Sequence, residues 1–132
     1  MSKGNFVKLD PSCPIIAVGD VPATMAYYVE KLGFQKNWDW GDPVTFGSVV
    51  RDGVALFFSA DGRGRSGVRI SIVVEDVDVL YTELQRRGTI VAQPPTQTPV
   101  GAREIYLDDL NGHRLCMATD IPQPVSAGPI ME

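Results

Sequence analysis

A strand–helix–hairpin pattern occurs twice along this chain of 132 residues, and the duplication restricts the fold more than any other feature. The two copies open at 13–34 and 69–89, each with an apolar strand, an Asp-Val pair and an amphipathic helix. In each copy a glycine follows at the position where the helix is expected to end. Two strands joined by a turn come later in each copy, at 45–58 in the first and at 103–117 in the second. A half of about 55 residues buries too little surface to be stable alone. We therefore expect one domain, residues 1–132, in which two repeats complete one another.

The limits of the repeats are expected at about 13–60 and 68–119, where turn residues interrupt the apolar patterns. Residues 1–12 are expected to form a flexible N-terminal arm, and residues 120–132 an extended or disordered C-terminal tail. The glycine-rich segment 59–67 is expected to be a flexible joint. The ordered core is therefore expected to come from the two repeats.

Hydrophobic periodicity predicts one helix in each repeat, at about 22–32 and 77–87. Strands are predicted at about 13–18 and 68–74, before the two helices, and at 35–40 after the first helix. The repeats are therefore expected to share one order of elements.

Turn residues predict how the later strands are connected. Asn111 and Gly112 favour a hairpin because both residues tolerate a positive φ, and Asp52 with Gly53 suits a type I′ turn. Three prolines within 93–99 are expected to exclude regular strand pairing, which predicts a shaped loop there. That loop could be a lid over a cleft or a plain connector.

Composition excludes several classes of protein. The chain has 16 acidic against 12 basic residues and a net charge of −4, so it shows no basic patch for nucleic acid. No run approaches the ~20 apolar residues that a membrane span needs, and the start shows no apolar core of a signal peptide. We therefore expect a cytoplasmic protein without nucleic-acid or membrane partners, in which the two cysteines are free thiols.

Alternation along the last two strands predicts which side chains share a face. Ile105 and Leu115 are expected to face the core, because successive side chains on a strand point to opposite faces. The single histidine, His113, has the parity of Leu115, and we expect it at the surface or in the turn rather than beside Cys116. The side chains on the opposite face of these two strands are expected to carry the function.

The residues in 13–34, in 69–88 and in 101–117 together resemble the vicinal oxygen chelate superfamily. This superfamily includes glyoxalase I, extradiol dioxygenases, fosfomycin resistance enzymes and bleomycin resistance proteins. The resemblance extends over about 13–119, and the runs at 32–34, 49–60 and 101–104 are most similar to the bleomycin resistance proteins. It implies an α+β fold of two tandem βαβββ modules whose sheets curl around a shared cleft, in a homodimer.

The resemblance also assigns metal-ligand positions. Carried onto this sequence they are Cys13, Phe57, Arg69 and Cys116, where enzymes of the superfamily hold His, Gln or Glu. Phe57 has no ligating atom and Arg69 offers no lone pair. The two thiols alone fall short of the three protein ligands of a catalytic zinc site. We therefore expect no metal, no other cofactor and no catalytic residue. A nucleophilic role for either thiol lacks a base, although Arg69 could lower a thiol pKa.

Strand parity then gives the expected lining of the cleft, an apolar surface with a few polar groups that can orient a ligand. The expected ligand-binding residues are Trp38, Trp40, Phe46, Ser48, Phe57, Arg69, Ser71, Glu104, Tyr106, Arg114 and Cys116. The indoles of Trp38 and Trp40 could stack on flat heteroaromatic rings. Alternatively, one indole packs in the core or in a dimer interface.

The function expected from the resemblance is sequestration of a bleomycin-type glycopeptide antibiotic by a homodimer, which confers resistance. One alternative is a metal-dependent enzyme similar to glyoxalase or dioxygenase. Another is a binding protein for a different hydrophobic aromatic molecule. The sequence leaves open the ligand, the redox state of Cys13 and Cys116, the roles of the proline-rich loop and the tail, and whether modules pair within a chain or swap between chains.

Overall fold

The computed structural model describes residues 7–9, 12–62 and 67–119. The predicted arm and tail therefore fall mostly outside the described residues, as do residues 63–66 of the predicted joint. No helix in the described part is long and apolar enough to cross a membrane. The elements in chain order are β1 (Ile15–Ala17), α1 (Val21–Leu32), β2 (Gln35–Trp40), β3 (Phe46–Arg51), β4 (Val54–Ser59), β5 (Arg69–Val73), α2 (Val77–Arg86), β6 (Gln93–Gln97), β7 (Arg103–Asp108) and β8 (Arg114–Thr119).

The two repeats fold as two βαβββ modules, which confirms the predicted α+β class. The first module, β1 to β4, forms a mixed four-stranded sheet in the order β1-β4-β3-β2, and the second module forms the same arrangement in the order β5-β8-β7-β6. In each sheet the first strand runs parallel to the last one, and the other pairs are antiparallel. Each helix packs on one face of its own sheet, so the other face is left without a helix.

Local sequence explains both helices. The Asp20 carboxylate accepts a hydrogen bond from Ala23 N–H at 2.9 Å, and the Asp76 carboxylate caps α2 in the same way. Gly33 follows α1 with φ of 75°, the left-handed conformation that ends many helices. The predicted helices therefore agree with the observed ones to within one residue at each end.

The prediction of a loop in the proline-rich segment is wrong. Residues Gln93–Gln97 form β6, which pairs with β7 at the edge of the second sheet. The register of this pairing shifts between Gln93 and Thr96, where Pro94 and Pro95 lie. A proline cannot donate to a ladder, but an edge strand with a bulge does not require that donor.

The type I′ turn predicted at Asp52 and Gly53 is not observed, although both predicted hairpins form. Asp52 has φ of 51° and Gly53 does not have a positive φ, whereas a type I′ turn needs positive values at both positions. In the second hairpin Gly112 has φ of 80° but Asn111 does not have a positive φ. The carboxylate of Asp109 organises this longer loop instead, because it accepts the backbone N–H groups of residues 111 and 113 at 2.8 and 3.0 Å.

His113 lies in the connection between β7 and β8, as predicted, but the prediction that it lies at the surface is wrong, because its side chain is completely buried between the modules. Its Nδ1 accepts the Val68 N–H at 3.0 Å, so its Nε2 carries the proton and donates to the Ala17 carbonyl oxygen at 2.6 Å. A neutral imidazole has one donor and one acceptor on different edges, and here they join the backbones of the two modules. The predicted parity is confirmed: Leu115 is buried with it.

The tip of the second hairpin makes further contacts with the first module. The Asn111 amide accepts the Gly19 N–H at 3.1 Å and donates to Thr24 Oγ1 at 3.0 Å. The buried Tyr28 hydroxyl donates to the Asp109 carboxylate at 2.6 Å. We call these contacts, together with those of His113, the module junction.

A second set of polar contacts lies near the C-terminal ends of the helices. Arg51 of the first module forms a two-point ion pair with Glu83 of α2, with distances of 3.1 and 2.8 Å. Arg87 contacts the same carboxylate at 2.8 Å. The Arg51 and Arg87 guanidiniums, led by Arg51, hold the pKa of Glu83 below its ordinary value.

Replacing His113 with Leu is expected to lower the free energy of unfolding by about 2 kcal/mol, because two partly buried backbone groups lose their partner. Urea denaturation measures this change. The control is Lys36→Gln, which removes an exposed ion pair to Asp39 and is expected to cost less than about 1 kcal/mol. Equal effects of the two substitutions would contradict the bridging role of His113.

The Glu83 contacts are expected to make the free energy of unfolding depend on pH in the acidic range. Because the folded pKa is lowered, the stabilisation is complete above the ordinary pKa of 4.5 and is lost as the pH falls through the folded value. Thermal unfolding of the parent and of Glu83→Gln between pH 3 and 6 measures it. The stability difference between the two proteins should shrink towards low pH, and a difference independent of pH would contradict the assignment.

Candidate functional site

The faces of the two sheets that carry no helix are the places where the predicted ligand-binding residues lie. We call them the first open face, on the sheet of the first module, and the second open face, on the sheet of the second module. Trp38, Trp40, Phe46, Ser48 and Phe57 belong to the strands of the first sheet. The second sheet carries Arg69, Ser71, Glu104, Tyr106, Arg114 and Cys116.

Three aromatic side chains form one cluster on the first open face. The ring of Trp38 meets the rings of Phe46 and Phe57 edge-on, with centroids 5.1 and 5.0 Å away, and the two phenyl rings are 5.7 Å apart. These distances are typical of favourable aromatic pairs. All three side chains stay partly exposed, so the cluster presents a ring surface that is held in place by its own contacts.

The other two residues predicted on this face differ from the cluster. Trp40 is 65% exposed and makes no ring contact with the described residues. Ser48 is completely buried, and its hydroxyl accepts a hydrogen bond from the Asn37 amide at 3.2 Å. Its small side chain lies between the larger cross-strand neighbours Trp38 and Phe57. Ser48 therefore supports the aromatic cluster from below and has no exposed surface for a ligand.

The second open face is polar, and Tyr106 lies at its centre. The guanidinium carbons of Arg69 and Arg114 are 5.7 and 5.4 Å from the centroid of the Tyr106 ring, within the range of cation–π contacts. Arg114 is also ion-paired with Asp108 at 2.8 Å. Arg69 is exposed and has no carboxylate partner among the described residues.

A carboxylate and a thiol complete this face. The Cys116 thiol lies 3.6 Å from the Glu104 carboxylate, and the hydrogen bond to Glu104 raises the pKa of Tyr106. Burial raises the pKa of Cys116, and the negative charge of Glu104 raises it further. On the other sheet, burial raises the pKa of Cys13, whose thiol donates to the Ala55 carbonyl oxygen. Both cysteines are free thiols, and neither environment favours the reactive thiolate.

The positions expected to surround a metal do not form a metal site in one chain. Cys13 and Phe57 lie in the first module, whereas Arg69 and Cys116 lie in the second. The Phe57 ring is packed against Trp38, and the Arg69 guanidinium lies over Tyr106. The described residues contain no group of three or more His, Cys, Asp or Glu side chains that could hold a metal ion. The side chains present therefore do not fit the metal that enzymes of this fold use.

Two grooves between the modules were not predicted from the sequence. One has a volume of about 830 Å³ and lies between the first hairpin and the start of α2. A smaller one of about 300 Å³ lies between α1 and the second hairpin. None of the predicted site residues lines either groove. Both grooves arise from the packing of one module on the other, which no local sequence signal describes.

The fold and the open faces define a protein of paired βαβββ modules with a candidate ligand surface on each sheet. The chain matches the model of the glyoxalase/bleomycin resistance protein/dioxygenase superfamily over residues 11–117, and it belongs to that family. The resemblance stated from the sequence is thereby confirmed at the level of the superfamily. No curated protein matches the chain.

Several solved structures share this fold. TioX from Micromonospora sp. ML1 is 18% identical, with a TM-score of 0.74 over 83% of this chain and 97% of that one. A superfamily member from Sphaerobacter thermophilus is 26% identical, with a TM-score of 0.71 over 86% and 98% of the two chains. The bleomycin-binding protein of the bleomycin producer Streptomyces verticillus, solved with copper(II)-bleomycin, is 27% identical, with a TM-score of 0.64 over 89% and 100%.

The surroundings of Cys116 predict slow reaction with a thiol reagent. In a Cys13→Ser background, Glu104→Gln is expected to speed the reaction of Cys116 with an aromatic disulfide at pH 8, because removing the negative charge lowers the thiol pKa. Absorbance of the released thiolate gives the rate. The matched control is Asp39→Asn, which removes one negative charge from the other sheet. Equal rates for Glu104→Gln and the control would contradict the assigned contact.

Proposed function

We propose that this chain is a metal-independent binding protein that acts as a homodimer and sequesters a bleomycin-type glycopeptide, so that it protects its host from the antibiotic. The proposal is supported by superfamily membership and by the bleomycin-binding protein of Streptomyces verticillus, which has a similar fold. Sequestration needs a binding surface and tight affinity but no catalytic group. We place its action in the cytoplasm, where it would bind the antibiotic.

The observation that carries the proposal is the aromatic cluster of Trp38, Phe46 and Phe57. Its rings are fixed by mutual contacts at 5.0–5.7 Å and remain partly exposed, so little ordering is needed when a flat heteroaromatic group stacks on them. Trp40, which is 65% exposed on the same strand as Trp38, offers a second indole. These four residues make the apolar half of the proposed site.

The polar half of the proposed site comes from the second open face. Arg69, Ser71, Tyr106 and Glu104 offer donors and acceptors that can orient a ligand. The aromatic and polar contacts described above each stay within one sheet. In the proposed homodimer, the first open face of one subunit lies opposite the second open face of its partner, and the ligand binds between them.

The overall charge supports a cationic ligand. A net charge of −4 attracts cations at long range and speeds their association at low salt. Useful protection needs tight binding: a dissociation constant of about 1 μM corresponds to roughly −8 kcal/mol.

The absence of catalysis is part of the proposal, and its support is the chemistry of the four positions that the superfamily uses for metal. A phenyl ring and a guanidinium supply no ligand atoms, and the two thiols have pKa values raised by burial. The competing proposal is a metal-dependent enzyme of the glyoxalase or dioxygenase kind. Elemental analysis after purification without chelator separates the two, because a stoichiometric divalent ion would overturn the binding-only proposal.

Bleomycin titrated into the protein is expected to release or absorb heat and to change the emission of the two tryptophans. Trp38→Ala should weaken binding by about tenfold or more, because it removes the ring that contacts both phenyl groups. The matched control is Val100→Ala, an exposed apolar residue in the segment between β6 and β7 that lines neither groove. Calorimetry gives the affinities. No heat and unchanged emission would remove the bleomycin-type ligand and leave a binding protein for another aromatic molecule.

A further inference from the structure

The two modules can be superposed by their strand pairing, and this identifies equivalent residues in the two hairpins. Ser48 lies opposite Phe57, as Tyr106 lies opposite Cys116, and both Phe57 and Cys116 pair with the first strand of their module. Counting three residues towards each turn makes Arg51 equivalent to Asp109, and Val54 equivalent to His113. The second connection is one residue longer.

The two hairpins contact the opposite module differently. Asp109 and His113 hold the second hairpin against the first module through the contacts of the module junction. On the equivalent side, Arg51 reaches Glu83 of α2, but Val54 stands where His113 would be and has no polar atom in its side chain. The shorter turn also has no counterpart of Asn111. The second hairpin is therefore tied to the first module by several hydrogen bonds and leaves only the smaller groove of about 300 Å³, whereas the first hairpin contacts α2 through Arg51 and borders the larger groove.

The larger groove has a volume of about 830 Å³, which lies in the range of small-molecule sites, roughly 300–1,000 Å³. Its apolar wall comes from both modules. The apolar side chains in this wall include Leu32, Phe34, Val54, Ile72, Leu80 and Met117. A groove with walls from two modules can enclose a ligand without a second subunit.

The charged groups of the groove are mostly negative. Arg51 forms the two-point ion pair with Glu83, and Arg87, which shares this carboxylate, does not line the groove. The Asp76 carboxylate caps α2. Asp52 and Glu75 also line the groove, are exposed, and have no ion-pair partner among the described residues. The groove therefore presents uncompensated negative charge beside an apolar wall, which complements a cation with an apolar body.

We propose that this groove is a second binding site, which takes a small hydrophobic cation such as a planar quaternary ammonium compound or a protonated aromatic amine. Its apolar body lies against Val54, Ile72 and Leu80, and its charge faces Asp52 and Glu75. The site lies between the modules of one chain and shares no residue with the proposed glycopeptide site. It goes beyond the proposed function and does not depend on it.

The probe is berberine, a planar quaternary ammonium dye whose emission rises in apolar surroundings. The full chain is expected to bind one berberine per subunit, with affinity that falls between 50 and 500 mM NaCl. The double variant Asp52→Asn/Glu75→Gln should weaken binding by about fivefold, the effect of two partly screened charge pairs. The matched control Glu30→Gln/Asp39→Asn changes the net charge equally outside the groove and should keep the parent affinity within about twofold.

A second variant tests the apolar wall. Val54→Trp fills the groove and is expected to abolish berberine binding, provided that its circular dichroism spectrum matches that of the parent. If it does not fold, Leu80→Lys, on the half-buried face of α2, replaces it and repels the cation. Anilinonaphthalene sulfonate, an anionic aromatic dye, should bind the groove at least tenfold more weakly than berberine, as judged by the part of its signal that is lost in Val54→Trp.

The remaining outcomes overturn the proposal. Loss of berberine binding in Trp38→Ala with parent affinity in the groove variants would place the dye on the first open face. A changed sedimentation coefficient in Asp52→Asn/Glu75→Gln would make the groove a subunit interface. No binding by the parent chain would mean that the groove does not admit the cation. Failure of bleomycin to bind bears only on the glycopeptide site, so the two proposals fail separately.

Discussion

The hydrogen bonds of the buried His113 imidazole are the contacts on which the relative position of the two modules depends. They join the Val68 N–H of the second module to the Ala17 carbonyl of the first, both of which are partly buried against the fully buried imidazole. Breaking them would leave two partly buried backbone groups without this partner, which costs more than losing hydrogen bonds at an exposed surface. Because the bonds are directional, they fix one arrangement of the modules, whereas apolar contacts alone would tolerate several.

This arrangement also explains where the candidate functional surfaces lie. Each sheet carries its helix on one face, so the other face remains free for ligand or partner. The module junction connects the tip of the second hairpin to α1 and to the segment that precedes it. These contacts do not cover the aromatic cluster around Trp38 or the polar group around Tyr106. An aromatic surface on one sheet and a hydrogen-bonding surface on the other are the two components of a specific small-molecule site.

The internal duplication explains both the regularity and the asymmetry of the molecule. Two βαβββ modules follow from two copies of one pattern, and their helices are capped by equivalent residues, Asp20 and Asp76. The copies diverge at the hairpin tips, where His113 corresponds to Val54. The polar side chain of His113 forms hydrogen bonds between the modules. The apolar side chain of Val54, at the corresponding position, forms none, and a groove lies beside it. Differences in residue type and in loop length at the hairpin tips thus decide which surfaces of this duplicated fold are open.

Local pattern was sufficient to predict the helices, the hairpins and the two faces of β7 and β8, because periodicity and capping act over a few residues, whereas the superfamily was predicted from the resemblance of whole segments. It was insufficient for β6, because the tolerance of prolines in that segment depends on its place at the edge of a sheet with a bulge. It also failed for Ser48, whose burial depends on large neighbours from two adjacent strands.

By itself, the sequence determined that two copies of one module would form, which side chains would share a face, and that two of the four metal positions implied by the resemblance, Phe57 and Arg69, carry no ligand atom. Only the tertiary structure decided that His113 is a buried bridge, that the aromatic and polar site residues lie on separate sheets, and that a groove opens beside Val54. The physical reason is the range of the interactions. Side-chain parity and ligand chemistry are properties of each residue and its neighbours in the chain. Burial, bridging hydrogen bonds and grooves are created only when segments distant in sequence, such as Ala17 and His113, pack together.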